Sequence, residues 1–478
     1  MGKLGEEDMN DSRQGTRTNV TRRKFLTRAA CATAAAYWAP AVVPSSVLGA
    51  SAPSNRIHVA FIGLGNQSQV DLPAFLQQPD VQVVAVCDVN TASHGYRTPQ
   101  QFLGRKPGQE AVNAYYAKQK KASRYRGCDA YRDFREVLGR SDVDAVTIIV
   151  PDHWHAIMTI AAAKAGKDIY CEKPLSLTIR QGQEMVKAVR HYKRVLQTGS
   201  MWRSSPVARF ACELVRNGRI GQVNRVVTDV ARNNAVGPGP GWKPMPIPEG
   251  FDYAMWLGPA PAAPYHADRC FYRFRFILEY SGGQTTNFGC HSNGIAQWGL
   301  GADHSGPIEF EDLGSEWPVP GDLFTTPTKI DFRARYANGV ELICRSSQRG
   351  FGCRFEGTGG WVECSYQGLR TSPESLKNTK IGRDEVHLAG SLKYDSASVS
   401  KRSMSPDHVR NFIDCVKSRQ DPFEPVEAGH RSASLCHLGN IAMKLHRKIR
   451  WDPELEQIID DDEAGKMLSR PMRSPWTL

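Results

Sequence analysis

Two stretches of this sequence could bring a phosphate-bearing cofactor and a proton-handling side chain to one place. The first is Gly63-Leu64-Gly65-Asn66, which follows the mainly apolar run Ile57–Ile62. Glycines at a strand exit permit a tight turn and let the backbone approach a pyrophosphate. The N-terminus of the helix that follows offers it unbonded N–H groups and a partial positive charge. A second apolar run, Val81–Cys87, ends at Asp88, 23 residues after Gly65. A carboxylate there is placed to accept hydrogen bonds from the adenosine ribose hydroxyls. Its charge would repel a 2′-phosphate, so NAD is expected over NADP. Ser68 replaces the third glycine of the usual pattern, and the strand before, the helix after and the acid closing the next strand carry the reading instead.

The second stretch is Glu172-Lys173-Pro174, at the end of the strand-like run Asp168–Cys171. A lysine at the carboxyl edge of a parallel strand lies beside the cofactor cleft of such a sheet. Upstream, the run Val143–Val150 ends in Pro151-Asp152-His153-Trp154-His155, taken as a loop. Its His-x-His could suggest a metal, but no third ligand stands nearby in sequence, and no metal site is expected. Trp202 and Arg203 follow the strand-like run Val195–Gly199. A Trp face suits the apolar side of a sugar ring, and Arg suits its hydroxyls or a carboxylate. Packing between domains is the alternative for both. Tyr265, His266, Arg273 and Arg275 form a second cluster of candidate substrate contacts, whereas His437 reads as structural.

The elements that must position these residues follow from pattern. Strand, glycine turn, a helix to about Gln78 and a second strand make a βαβ unit. Residues 91–128 read as an inserted loop plus a helix. An Ala-rich helix from Ala156 to Ala165 is closed by Gly166. Farther on, Gln222–Val230 alternates as a strand does, and Lys329–Tyr336, the turn Ala337-Asn338-Gly339 and Val340–Arg345 form a hairpin. Residues 234–250, crowded with Pro and Gly, read as a loop.

The 478 residues suffice for two or three domains of ~100–200 residues each. Hydrophobic residues at 41% and charged ones at 23% are ordinary for a globular chain. No apolar run reaches the ~20 residues of a membrane span. The net charge is +12, of which about +3 belongs to residues 1–52. No Lys/Arg-rich run with interleaved aromatics accompanies it, so nucleic acid is not the expected partner. An acidic sugar or an anionic cofactor is the milder reading of the basic balance. Arg22-Arg23 before Phe25-Leu26, the apolar stretch Ala29–Val43 and the small residues Gly49, Ala50 and Ala52 read as a twin-arginine export signal, predicting a periplasmic protein. Such substrates cross the membrane folded, and no free nicotinamide pool is expected beyond the cytoplasm. The cofactor should therefore stay bound and be regenerated within each cycle. Of twelve cysteines, eleven lie outside the leader and none forms Cys-x-x-Cys. Neither a zinc site nor an essential disulfide framework is predicted.

Gly63-Leu64-Gly65, Asp88, Pro151 with His155, Glu172-Lys173-Pro174, Gly282-Gly283 and Asn287-Phe288-Gly289-Cys290-His291 together resemble the Gfo/Idh/MocA oxidoreductases, the superfamily of glucose–fructose oxidoreductase and inositol dehydrogenase. The resemblance covers roughly residues 55–478 and implies an α/β fold. An N-terminal Rossmann dinucleotide-binding domain (53–178) would precede a C-terminal α/β domain (179–478) with a large open, mostly antiparallel sheet. That sheet would pack against its counterpart in a homodimer or homotetramer. The resemblance also implies an NAD(P)-dependent sugar oxidoreductase acting on CH–OH groups. Lys173 would bond the reacting hydroxyl and help move its proton, Glu172 would hold the nicotinamide ribose, and His155 would line the nicotinamide side. The family usually carries Asp-x-x-x-His on one helix, an (i, i+4) pair facing the substrate. Here the pair is Asn287 and His291, and Asn cannot accept a proton as a base. Either His291 with Lys173 does the acid–base work, or the chemistry differs, as in a redox-assisted glycoside hydrolase or lyase. A non-catalytic sugar- or nucleotide-binding protein is the reading from a different class.

Overall fold

Short runs of β-branched and small apolar residues, each buried on both faces, build a parallel sheet. The computed structural model describes residues 55–232, 237–388 and 401–478, with 401–405 described by backbone alone. The expected leader lies outside the described residues, as does part of the loop expected at 234–250. The first sheet comprises β1 (Ile57–Ile62), β2 (Val81–Cys87), β5 (Asp129–Tyr131), β6 (Ala145–Ile148), β7 (Asp168–Cys171) and β8 (Leu196–Thr198). All are parallel, in the order β5-β2-β1-β6-β7-β8. The order reverses between β1 and β6, which opens a crevice at their carboxyl ends. Helix α1 (Ser68–Leu76) follows β1. The insertion after β2 holds a small hairpin, β3 (Ser93–His94) with β4 (Phe102–Leu103), and helix α2 (Arg105–Gln119). A short α3 (Phe134–Leu138) leads to β6.

Helix α4 (Asp152–Lys164) starts at the strand exit, so residues 152–155, taken as loop from sequence, form its first turn. Pro151 caps it in an extended conformation, and Asp152 complements the helix dipole. His153 Nε2 and Trp154 Nε1 both reach the Trp256 carbonyl, at 2.9 Å. The chain then leaves α4 through the left-handed Gly166 (φ 77°), as expected.

Past α5 (Ile179–His191) and β8, helix α6 (Pro206–Arg216) leads to a nine-stranded sheet. Its strands are β9 (Val223–Ala231), β10 (Glu309–Asp312), β11 (Asp331–Arg335), β12 (Glu341–Ser347), β13 (Gly352–Gly357), β14 (Gly360–Ser365), β15 (Gly368–Ser372), β16 (Ile449–Asp452) and β17 (Gln457–Ile459). The order is β15-β14-β13-β9-β12-β11-β10-β16-β17, antiparallel except between β9 and β12. Strands alternate: Phe332, Ala334, Leu342 and Cys344 point into the core. The opposite face carries matched charges, with Arg333 on Glu341 at 3.2 Å and Arg345 on Asp229 at 3.1 Å. Between β9 and β10 come α7 (Tyr253–Leu257), α8 (Gln284–Asn287) and α9 (Gly289–Leu300). Helices α9 and α11 (Val426–Leu445) cover the inner face, and α12 (Asp462–Lys466) lies near the end of the chain.

Helix α10 (Lys401–Ser418) returns to the first sheet. Its Phe412 is fully buried against Phe75 and Tyr170, with ring centroids 6.2 and 5.9 Å away. Arg410 pairs with Asp80 at 2.6 Å and Arg419 with Asp168 at 2.6 Å. The parallel sheet therefore takes its edge strand β8 and one covering helix from beyond residue 178. The described cysteines are buried thiols.

Candidate active site

A cleft of about 390 Å³ opens where the order of the parallel sheet reverses. Gly63 lines it with φ 97°, and a Cβ there would stand 2.1 Å from the Ile149 carbonyl oxygen, so no other residue fits the turn. Gly65, Asn66, Asp88 and Pro151 line it too. Asp88 turns both carboxyl oxygens to backbone amides, Leu64 N–H at 2.7 Å and Asn90 N–H at 2.8 Å. Burial pushes its pKa up, and the two amides and Arg105 act against that rise. Leu64, expected among the cofactor contacts, buries its side chain in the core and serves the site through its N–H. Tyr96, from the insertion, lies over Gly65, and its ring meets Phe271 at 4.6 Å. Gln101 donates to Asn66 Oδ1 at 3.1 Å, tying the insertion to the glycine turn. A glycine turn, a helix N-terminus and an acid at the next strand's tip fit a dinucleotide.

Lys173 stands at the carboxyl end of β7, in the same cleft. Its Nζ donates to Asn287 Oδ1 at 3.1 Å and lies 3.9 Å from Glu172 Oε2. Asn287 Nδ2 donates to Gln284 Oε1 at 2.8 Å, which fixes the amide with its oxygen toward the lysine. The amide oxygen thus orients the ammonium group without adding a charge. Glu172 fits because residue 199 is Gly: a Cβ there would lie 2.3 Å from Glu172 Oε1. Asp152, in the first turn of α4, lines the cleft with 4% exposure. Burial raises its pKa, against the pull of His155, the Ser281 hydroxyl, Lys173 and Arg275.

Other expected residues lie elsewhere. Between α8 and α9, Phe288 keeps a right-handed helical conformation (φ −98°, ψ −34°), and the His291 amide donates to its carbonyl at 3.0 Å. Phe288 lines the cleft, and His291 is buried at 2% exposure outside the lining. His155 is also outside the lining: its Nδ1 meets the Pro174 carbonyl at 2.8 Å and its Nε2 the Val150 carbonyl at 2.9 Å. It ties two strand exits together from beneath the cleft. Two carbonyl acceptors require a proton on each nitrogen. Burial opposes that charge, but Cys171, Asp152 and the Pro174 carbonyl outweigh it and hold the pKa up at about 10. His153 is buried on the Trp256 carbonyl, and burial lowers its pKa to about 4.

Trp202 and Arg203 take the packing alternative. Trp202 is fully buried and stacks on Phe351 at 3.8 Å. Arg203 is buried in an ion pair with Asp303 at 2.6 Å. Tyr265 sits in an aromatic cluster, 5.2 Å from Tyr253 and 6.0 Å from Phe251. Arg273 pairs with Asp268 at 3.0 Å, and His266 accepts from the Asp268 amide at 3.1 Å. Of that cluster, Arg275 alone lines the cleft, beside Tyr272 and Ser281. His437 is buried on the Ser176 carbonyl at 2.9 Å. Sequence reasoning assigned no role to Asp152, Tyr96, Tyr272, Ser281 or Tyr366. An acid directly after the strand-ending proline was a signal for the first; nothing local marks the others.

Residues 57–200 match the oxidoreductase family with an NAD-binding Rossmann fold, and 236–380 with 395–478 match that family's C-terminal alpha/beta domain. A glycosyl hydrolase family 109 protein of Shewanella baltica is 31% identical over 183 residues, 35% of this chain and 36% of that protein. An alpha-N-acetylgalactosaminidase of Shewanella oneidensis is 30% identical over 182 residues, with the same shares. The chain thus spans about a third of the length of these relatives. Aldose–aldose oxidoreductase from Caulobacter crescentus, solved with glycerol, superposes with a TM-score of 0.56 at 20% identity over 83% of this chain and 99% of that one. Levoglucosan dehydrogenase with NADH and levoglucosan gives 0.58 at 16% identity, over 83% and 99%. At these identities the likeness is one of fold. Since the matches to the two domain families together cover most of the chain, it belongs to the Gfo/Idh/MocA oxidoreductases.

Proposed function

We propose that this protein oxidises a CH–OH group of a sugar, polyol or glycoside with NAD held in the cleft. The observation that carries the reading is Lys173, whose ammonium is aimed by Asn287 into the cleft that the glycine turn enters. When bound, NAD accepts a hydride from the carbinol carbon. Lys173 bonds the reacting hydroxyl and helps move its proton, Glu172 steadies the nicotinamide ribose, and Asp88 takes the adenosine ribose and disfavours a 2′-phosphate. His155, buried on the Pro174 and Val150 carbonyls, orients the two strand exits, and His291, four residues after Asn287, is the second acid–base candidate.

The Arg22-Arg23 leader supports export to the periplasm by the twin-arginine route, with the cofactor retained and regenerated within each cycle. The nine-stranded sheet supports pairing with a second copy. A second reading, redox-assisted cleavage of a glycoside, is favoured by the likeness of part of the chain to glycosyl hydrolase family 109 proteins and by Asn287 in place of an acid. To test the first reading, the NAD⁺-loaded protein is mixed with sugars, polyols and glycosides while NADH absorbance is followed. Cofactor reduction that Lys173→Met abolishes supports it. Glycoside cleavage without net reduction selects the second reading, and inertness toward the whole panel contradicts both.

A further inference from the structure

The geometry points to an anion-binding subsite at Arg275, filled by the carboxylate of an acidic sugar. The inference rests on the reading just given and names its substrate class. Arg275 sits in a single 3₁₀ turn, Arg273–Phe276, pinned by the buried Phe274 and Phe276, and it faces the cleft between them. Its guanidinium lies over the Tyr272 ring at 4.0 Å and near Phe274 at 5.1 Å, and Nη1 donates to the Tyr272 carbonyl. Nε is buried and meets no acceptor among the described residues. The buried Arg269 closes on the Pro264 carbonyl and the Tyr280 hydroxyl, and Arg203 and Arg410 close on carboxylates, Asp303 at 2.6 Å and Asp80 at 2.6 Å. Among the described residues Arg275 forms no such pair.

Its electrostatic surroundings are uneven. Burial pushes its pKa down, with Tyr272 and Asp152 opposing the fall and Arg97 adding to it. Arg97 lies over the same Tyr272 ring, at 5.6 Å, so two guanidinium groups share one aromatic ring. Asp152, Lys173 and Arg275 all line the cleft, and the Asp152 carboxyl feels both cations. A buried charge is costly unless paired, and a guanidinium's planar fork matches a carboxylate. A uronic acid would set its carboxylate on Arg275 and offer a ring hydroxyl to Lys173. The other anion in reach is the diphosphate of the cofactor itself.

The test uses the NAD-loaded protein with glucuronate and galacturonate against glucose and galactose, by binding calorimetry and by cofactor reduction. Wild-type protein should prefer each uronate over its neutral parent. Arg275→Gln should lower that preference by at least roughly thirtyfold, as expected for a lost buried charge-assisted contact, with NAD affinity kept. Arg275→Lys should retain part of the preference, which separates a lost fork from a failed fold. If Arg275→Gln instead weakens NAD binding, the anion is the cofactor's diphosphate and the acidic-sugar assignment is overturned. Uronates that bind no better than their parents overturn it as well. Uronate binding without cofactor reduction would leave the subsite standing and contradict the oxidoreductase reading.

Discussion

Lys173 is held by a neutral partner. An aspartate opposite it would bind the ammonium as an ion pair, whereas the Asn287 amide accepts one hydrogen bond and carries no charge. Removing the lysine should cost what a positioned acid–base group contributes, so Lys173→Met is expected to lower kcat by roughly 100- to 10,000-fold with NAD content unchanged. His155 predicts a pH dependence of stability. Its pKa rises from the ordinary 6.5 to about 10 on folding, so its contribution is complete below pH 6.5 and is lost as pH rises toward 10. Melting curves should therefore show wild-type protein losing stability over that window, and His155→Gln flattening the loss. The places of Gly63, Asp88 and Lys173 in the cleft were legible in the sequence because local strand position fixes where they stand. Trp202 and Arg203 were not, because their partners Phe351 and Asp303 lie more than 90 residues away in the chain. His291, four residues after Asn287, is buried outside the cleft lining, a depth that spacing along the chain does not set.

Two elements outside the βαβ core govern how the cleft is framed. The insertion after β2 lays Tyr96 over the glycine turn against Phe271, and the Thr91 amide donates to the Gly250 carbonyl at 2.9 Å. Tyr96→Ala should leave the glycine turn intact but speed NAD release about three- to tenfold, the worth of one aromatic pair, as measured by dilution into an NAD trap. Helix α10 closes the first sheet through Phe412. Phe412→Ala should cost about 3–5 kcal/mol of unfolding free energy in denaturant titrations, a typical loss for emptying such a site. The strands β1, β2, β7, β9 and the β11–β12 hairpin are visible as apolar or alternating runs in the sequence. The return of α10 to a sheet more than 200 residues earlier is not, since periodicity shows an amphipathic face and not what it covers.

For the molecule as a whole, one cleft at the carboxyl ends of the parallel sheet holds both the glycine turn and Lys173, and both stand on strand exits. The βαβ start follows from the alternation of apolar runs with a helix-length segment, whereas the α/β domain after it was implied by the family resemblance. Among the described residues no helix is long and apolar enough to cross a membrane. Export as a folded protein would require the cofactor to be in place before translocation and to remain there. That requirement is where the account is most exposed. The decisive measurement is to purify the folded protein with no cofactor added, denature it, and assay the released solution for NAD(H) and NADP(H). The account predicts close to one NAD(H) per chain and little NADP(H). A protein that releases neither, and that fails to bind added NAD, would contradict it.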